Sequence, residues 1–291
     1  MAAGRQGGRT LPSSVPNTPG GETHVTTFRQ LFTSYRPIIG VIHLPPLPGY
    51  PGSPGLVGVL EKAVADLSAH ERGGVDGILV ENFADRPFRL KARPETVAVM
   101  TLVVRELVLA AKATVIGVEV LLNDPAASLA VAKMAGAGFM RTDFFVDPME
   151  RPEFEGPIDI DPDGLIAYQR SIGADDVLIL ADIQVKFARM LIDRSLTESA
   201  RLAAHHGADA IGVTGDETGE PPSASTIEQA KAGAGACPVL VGSGLDVANA
   251  STLMAAADGA IVGTSVKTGE YIDAAKVEEL VGTVRALDDE R

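Results

Sequence analysis

Asp182, Gln184 and Lys186 follow one apolar run at every second position. If that run is a strand reaching so far, all three share a face. An aspartate and a lysine in one pocket can act as general base and electrostatic stabiliser. A lysine of depressed pKa can also form a Schiff base. The same pair would serve equally as a structural ion pair. Arg141 and Asp143 repeat the alternation. Arg141 can grip a phosphate or carboxylate with two prongs, or simply neutralise Asp143. His43 ends another apolar run and meets a proline-rich loop. It suits proton transfer or ligand binding, with a hydrogen-bonded structural histidine as the plainer alternative. Glu81, Glu119 and Asp182 are a carboxylate set that would suit Mg2+, although their spacing matches no metal signature. Asn123 and Thr214 add hydrogen-bonding groups at other run ends.

Glycine-rich turns close the last two apolar runs: Gly242-Ser243-Gly244 and Gly263-Thr264-Ser265. Glycine lets backbone N–H groups approach an anion closely, and a following helix N-terminus adds positive partial charge. Either turn alone would suit tight geometry as well as ligand binding. Together they are expected to form a phosphate site. No G-x-x-x-x-G-K-[ST] occurs, so a nucleotide P-loop is excluded. The polar stretch from Thr214 to Pro222 reads as an active-site loop. The loop from Pro45 to Gly55 reads as a lid or an ordered surface loop.

These groups need a frame. Short apolar runs at 38–44, 77–80, 115–122, 138–141, 177–183, 210–213, 239–241 and 260–262 alternate with Ala-rich helical stretches. Such stretches include 56–72, 125–135, 195–206 and 247–256. The runs show little polar alternation, as parallel strands covered on both faces do. This predicts an α/β fold, a (β/α)8 barrel over 28–291 as a single domain. Every polar group above then falls at a strand's C-terminal end, where barrels carry their chemistry. An internal repeat agrees. The second, fourth, sixth and eighth strands are entered by Gly74-Val75-Asp76-Gly77, Gly136-Ala137-Gly138-Phe139, Gly207-Ala208-Asp209-Ala210 and Ala257-Asp258-Gly259-Ala260. Glycine ends the preceding helix in a left-handed cap, and a two-unit period suits a barrel of repeated quarters. A doubly wound sheet would need G-x-G-x-x-G after its first strand. Here that strand runs into Pro45-Pro46-Leu47-Pro48-Gly49, which cannot start a helix.

The chain has 291 residues, 45% of them hydrophobic, which excludes a disordered protein and allows one large core. Aromatics are 4% and Trp is absent, so aliphatic residues must build that core. Lys and Arg number 25 against 38 Asp and Glu, a net charge of −13. Such a surface repels nucleic-acid backbones and anionic membranes. Anion binding must therefore be local, and should tighten as salt screens the acidic surface, or at least weaken less steeply than in a basic protein. The single cysteine, Cys237, excludes an intramolecular disulfide and fits a cytoplasmic protein. It precedes Pro238 at a strand start, so a buried, inert thiol is expected. His205 and His206 are expected to cap a helix C-terminus. Residues 1–27, rich in Gly, Pro, Ser and Thr, read as a disordered tail without a signal peptide's apolar core. No stretch offers the roughly 20 apolar residues of a membrane span. The apolar helix over 96–111 suggests a homo-oligomer.

Four motifs in order resemble the BtpA/SgcQ family: Ile39 through Gly49, Gly74 through Phe83, Val213 through Pro222, and Val239 through Gly244. The resemblance runs from about Arg36 to about Val284. It implies a barrel of the ribulose-phosphate-binding superfamily with a phosphate site, but no defined reaction. Cyanobacterial members are linked to photosystem I biogenesis and other bacterial members to sugar-related operons. Three departures stand out. Where the family usually reads Ala-Asp-Val-His-Val-Lys-His, this chain has Ala181-Asp182-Ile183-Gln184-Val185-Lys186-Phe187. Glu119 replaces a common Asn, and Arg141-Thr142-Asp143 stands for Arg-Val-Asn.

The expectation is an enzyme acting on a phosphorylated sugar or nucleotide-like small molecule, by isomerase, lyase or glycosidic-bond chemistry. Asp182 would be the base, Lys186 or Arg141 the oxyanion stabiliser, and Glu81 or His43 the second proton-transfer group. Arg141, Asp143, Glu119, Asn123, Gln184 and Thr214 would contact substrate. The alternative is a non-catalytic biogenesis or regulatory factor that keeps the phosphate pocket, which the missing histidines favour. No motif requires a cofactor.

Overall fold

The alternation of apolar runs and helical stretches closes into a ring. In this computed structural model, which describes residues 27–289, eight parallel strands form a closed barrel in sequence order. They are β1 Ile38–His43, β2 Gly77–Glu81, β3 Val115–Glu119, β4 Phe139–Thr142, β5 Leu178–Asp182, β6 Ala210–Val213, β7 Val239–Val241 and β8 Gly259–Val262. Helices follow each strand: α1 Gly55–Gly73, α2 Pro94–Ala110, α3 Pro125–Ala135, α4 Pro162–Ser171, α5 Leu196–His205, α6 Ala224–Ala234, α7 Ala250–Ala256 and α8 Ala274–Asp289. The (β/α)8 barrel read from the sequence is present. Two small antiparallel pairs decorate the loops: Met149–Glu150 with Arg189–Met190, and Lys267–Thr268 with Tyr271–Ile272.

Both faces of the sheet are buried, which explains the unbroken apolar runs. Ile38, Ile42, Ile78, Val80, Val118 and Ile179 join the layer shared with the helices. Ile39, Val41, Leu79, Phe139, Leu180, Leu240 and Ile261 form a second cluster, the barrel interior. Phe28 and Phe32 join that interior, with the Phe32 and Phe139 rings 5.7 Å apart. They come from the helical turn Phe28–Leu31, so the chain just before β1 plugs the barrel floor. Of the expected tail, only Thr27 is described; its carbonyl accepts the first bonds of that turn. The rest lies outside the described residues.

The repeat has a clear physical basis. Gly74 and Gly136 end their helices at φ +82°, and Gly207 follows α5 at φ +94°. Ala257 departs, leaving α7 in an extended conformation. The aspartates matter as much. Asp76, Asp209 and Asp258 each accept the backbone N–H of the preceding odd strand, at Ile38 (2.7 Å), Ile179 (2.8 Å) and Val239 (2.9 Å). Each also donates its own N–H to the carbonyl of that same residue. Asp76 pairs with Arg285, and Asp258 with Lys231. Among the described residues no cation bridges Asp209, and burial pushes its carboxyl up to about 6. The folded state therefore holds this proton more tightly than the unfolded chain. That contribution is complete below about pH 4 and is lost as pH rises through 6. Asp209→Asn keeps an oxygen acceptor and removes the charge. Thermal unfolding should show it gaining stability over wild type between pH 4 and pH 8; a pH-independent difference would refute the assignment.

Cys237 sits at the strand-start end, its Sγ 3.3 Å from the Ala208 carbonyl oxygen. The residue is half-buried rather than fully buried as expected, but burial, then Asp209 and Asp258, still push the thiol up to about 12, which disfavours the reactive thiolate. His206 ends α5 and lies 2.8 Å from Asp163. No helix among the described residues is long and apolar enough to cross a membrane.

Candidate active site at the carboxyl ends of the strands

Side chains on a strand alternate faces, so extending the interior cluster by two residues defines the upper rim. That step gives His43, Glu81, Glu119, Arg141 and Asp182 on β1 to β5, then Gly212, Gly242 and Gly263 on β6 to β8. One half of the rim carries charge and the other carries no side chain. His43, Glu81 and Glu119 are direct register partners on adjacent strands, so they stand abreast.

Arg141 holds this half together. Its Nε and Nη2 donate to the two Asp182 oxygens at 3.1 and 2.6 Å. Its Nη1 lies 3.4 Å from Glu81 and 3.6 Å from Glu119, and Nη2 lies 3.9 Å from Asp143. Burial opposes the guanidinium charge, but Asp182, Glu119 and Asp143 outweigh it and hold Arg141 well above its ordinary value. The carboxyls around it diverge. Burial pushes Glu81 up, yet the His43 bond and the charges of Arg141 and Lys186 leave it below its ordinary value. Burial, then Asp143, Glu81 and Asp182, push Glu119 well above the carboxylate range against Arg141. Asp143 is raised to about 6, again by burial first. Glu119 is 2% exposed, and neither of its carboxyl oxygens has a hydrogen-bond partner.

His43 is oriented from both sides. Its Nε2 lies 3.3 Å from Glu81, and its Nδ1 meets the Lys267 ammonium. An ammonium only donates, so Nδ1 accepts and Nε2–H donates to Glu81. Lys267 was not legible as a site residue. It lies beyond β8, and the hairpin Lys267–Thr268/Tyr271–Ile272 brings it back over the rim.

The open half holds a cavity of about 560 Å3. His43, Glu81, Glu119, Arg141, Asp143 and Lys186 line one side; Gly242, Ser243, Gly244, Gly263 and Thr264 line another, with Thr218 and Gly219 above them. The loop from Thr214 to Pro222 thus reaches the cavity as expected. Ser243 Oγ accepts from the Gly215 N–H at 3.2 Å and donates to the Glu220 carbonyl at 2.8 Å, which ties that loop down. Gly244 is required there. Its φ is +73°, and a Cβ would stand 2.2 Å from Pro221 N.

Other expected residues fall elsewhere. β5 ends at Asp182, and Gln184 turns with φ +44°. Its side chain leaves the cavity to bond the Arg194 carbonyl and Ser199, both at 3.0 Å. Asp182 lies beneath Arg141, 2% exposed, in the space a Gly212 side chain would fill. Asn123 accepts the Thr142 hydroxyl at 3.1 Å, and Thr214 Oγ1 accepts the Lys186 N–H at 3.2 Å. Neither lines this cavity, nor does Ser265, which sits in the 3-10 turn Thr264–Val266. α7 begins at Ala250 rather than at 247, six residues past Gly244, so it does not aim its N-terminus from that turn. The Pro45–Gly55 loop is anchored by wholly buried Leu47, whose N–H donates to Asp85 at 2.8 Å. The suggested Mg2+ carboxylates do converge, but on a guanidinium. Among the described residues no group of three His, Cys, Asp or Glu is arranged to hold a metal ion.

The model of the BtpA family matches residues 34–286. The chain belongs to the BtpA family. It is 39% identical to the photosystem I biogenesis protein BtpA of Synechocystis over 259 residues, 87% of this chain and 89% of that protein. It is 37% identical to an uncharacterized protein of Archaeoglobus fulgidus, over 84% of this chain and 97% of that one. Among solved structures, it is similar to thiamine phosphate pyrophosphorylase from Pyrococcus furiosus, with a TM-score of 0.56 and 16% identity, over 87% of this chain and 96% of that one. N-(5'-phosphoribosyl)anthranilate isomerase from the same organism gives a TM-score of 0.53 at 14% identity, over 86% and 99%. At those identities the likeness is one of fold. The BtpA-family chain thus shares a barrel with enzymes whose names carry phosphorylated compounds.

Proposed function

We propose that this BtpA-family chain is an enzyme that moves a proton on a phosphorylated small molecule, in isomerase or lyase chemistry. One observation carries the reading. Glu81 and Glu119 stand abreast, face one cavity, and are shifted in opposite directions, Glu81 below and Glu119 above the ordinary carboxylate value. Two carboxyls so separated are an acid and a base. Glu81, ionised and held by His43, takes a proton from carbon next to a carbonyl. Glu119, protonated, gives its proton to the carbonyl oxygen, and Arg141 and Lys186 stabilise charge developing there. Asp182, first expected as the base, fits better as the anchor of Arg141, because both its oxygens are committed to that guanidinium. The ligand's phosphate lies against the backbone of residues 242–244 and 263–264, where the rim has no bulky side chain. The fold relatives named for phosphorylated compounds support a phosphorylated ligand, and the open glycine turns suggest where its phosphate would sit.

Solvent exchange tests the proposal. Incubated in D2O with aldose and ketose phosphates, the enzyme should incorporate deuterium at the carbon beside the carbonyl of at least one. A second reading, a ligand-binding factor without turnover, draws on the departure at Phe187 and on the Synechocystis relative named for photosystem I biogenesis. Saturable binding with no exchange and no product would replace the first reading with the second. The Gln184 departure does not favour the factor, since that side chain points away from the cavity.

A further inference from the structure

The cavity is larger than a sugar phosphate needs. At about 560 Å3 it falls within the roughly 300–1,000 Å3 range that encloses drug-sized ligands. The excess lies on the side of the loops after β2 to β5, across the barrel from the glycine turns of β7 and β8. That side is built from Phe83, Arg86, Phe88, Arg151, Phe154 and Phe187. In a chain with 4% aromatic residues, this concentration is not background composition.

The wall is organised rather than merely apolar. The Arg86 guanidinium lies 3.4 Å from the Phe88 ring centroid and 5.1 Å from that of Phe83. Phe88 and Phe154 rest on a separate buried cluster of Leu122, Phe144, Met149, Ile158 and Val185, which fixes their position. Arg151 is held by Glu153 through two bonds, at 3.2 and 2.6 Å, and faces the Phe187 ring at 5.7 Å. Arg86, by contrast, forms no ion pair among the described residues, although Glu153 and Asp85 act on its charge from further away. Phe187 is 46% exposed and has φ +62°, a left-handed conformation that a phenylalanine rarely adopts. The backbone thus turns an aromatic ring into the cavity mouth instead of into the core. Phe83 lies 4.5 Å from the His43 ring, so the wall adjoins the proton-transfer groups.

We propose that this wall is a stacking subsite for a planar aromatic group carried by the ligand opposite its phosphate. Aromatic rings and stacked guanidiniums offer flat, polarisable faces, and an unbridged arginine favours a hydrogen-bond-accepting edge on the planar group. The inference rests on the phosphate-binding reading for the ligand's other end. The two can fail separately.

Calorimetric titration of the full chain with inorganic phosphate, ribose 5-phosphate, adenosine and adenosine 5'-monophosphate tests it. The monophosphate should bind at least tenfold tighter than ribose 5-phosphate. Phe187→Ala should abolish that advantage while leaving ribose 5-phosphate unchanged, and Phe187→Tyr should restore it. Equal binding of the two phosphates, or an advantage that survives Phe187→Ala, overturns the subsite. So does the absence of binding by all four probes. Adenosine binding that depends on Phe187, with no binding of phosphate or ribose 5-phosphate, keeps the subsite and overturns the phosphate reading instead.

Discussion

Arg141→Ala should destabilise the fold by about 3–5 kcal/mol near neutral pH, the usual cost of removing one partner from a buried ion pair. Arg141 meets four carboxyl side chains and is 6% exposed, and its loss removes the cation that both Asp182 oxygens bond and that the other three share. The deficit should shrink as pH falls towards 5, because the carboxylates left behind can take up protons. Arg141→Lys should not rescue fully, since an ammonium cannot reproduce the two-pronged grip on Asp182. Arg141→Met combined with Asp182→Leu should recover part of the loss. Urea unfolding at pH 7 and pH 5 checks all four statements. A cost under about 1 kcal/mol for Arg141→Ala would mean the network is solvated rather than buried.

Glu119→Gln should lower turnover by about 10²- to 10⁴-fold, the range for loss of a general acid, with ligand affinity within a few-fold of wild type. A glutamine can fill the space and donate a hydrogen bond but cannot release a proton. Folding should not suffer. Glu119 binds its proton more tightly in the folded chain, so its contribution to stability declines as pH rises, and the amide removes that penalty. Wild-type turnover should fall on the acid side as Glu81 protonates, below the ordinary carboxylate value, because its pKa is lowered. On the alkaline side it should fall as Glu119 loses its proton, well above the ordinary value. Steady-state rates of Glu119→Gln across pH check this. Loss of affinity without loss of turnover would make Glu119 a binding group instead.

The frame was legible because it rests on local rules. The apolar runs alternating with helical stretches gave the strands and their polar ends, whereas which strand residues face the interior, and so the full rim from His43 round to Gly263, emerges only in the structure. The glycine turns after the last two strands were legible too. Reading beyond the strand ends failed where the backbone leaves the strand. Asp182, Gln184 and Lys186 share parity in sequence, yet the chain turns at Gln184 and sends its amide outward. Asn123 and Thr214 follow strand ends as read, but Asn123 accepts from Thr142 at the end of β4 and Thr214 accepts from Lys186 in the loop after β5. Lys267 reaches His43 across 224 residues of sequence, and the aromatic wall gathers residues from several loops. No local pattern encodes such meetings. The opposite shifts of Glu81 and Glu119 are also collective, since they depend on burial and on which charged groups each carboxyl meets in the folded chain.

A crystal structure with ribose 5-phosphate soaked into the cavity tests the central claim most directly. The phosphate should lie within hydrogen-bond reach of backbone N–H groups of residues 242–244 and 263–264, with the carbonyl end of the sugar between Glu81 and Glu119. A phosphate seated instead on Arg86 and Arg151, or an empty cavity at a saturating concentration, would contradict it.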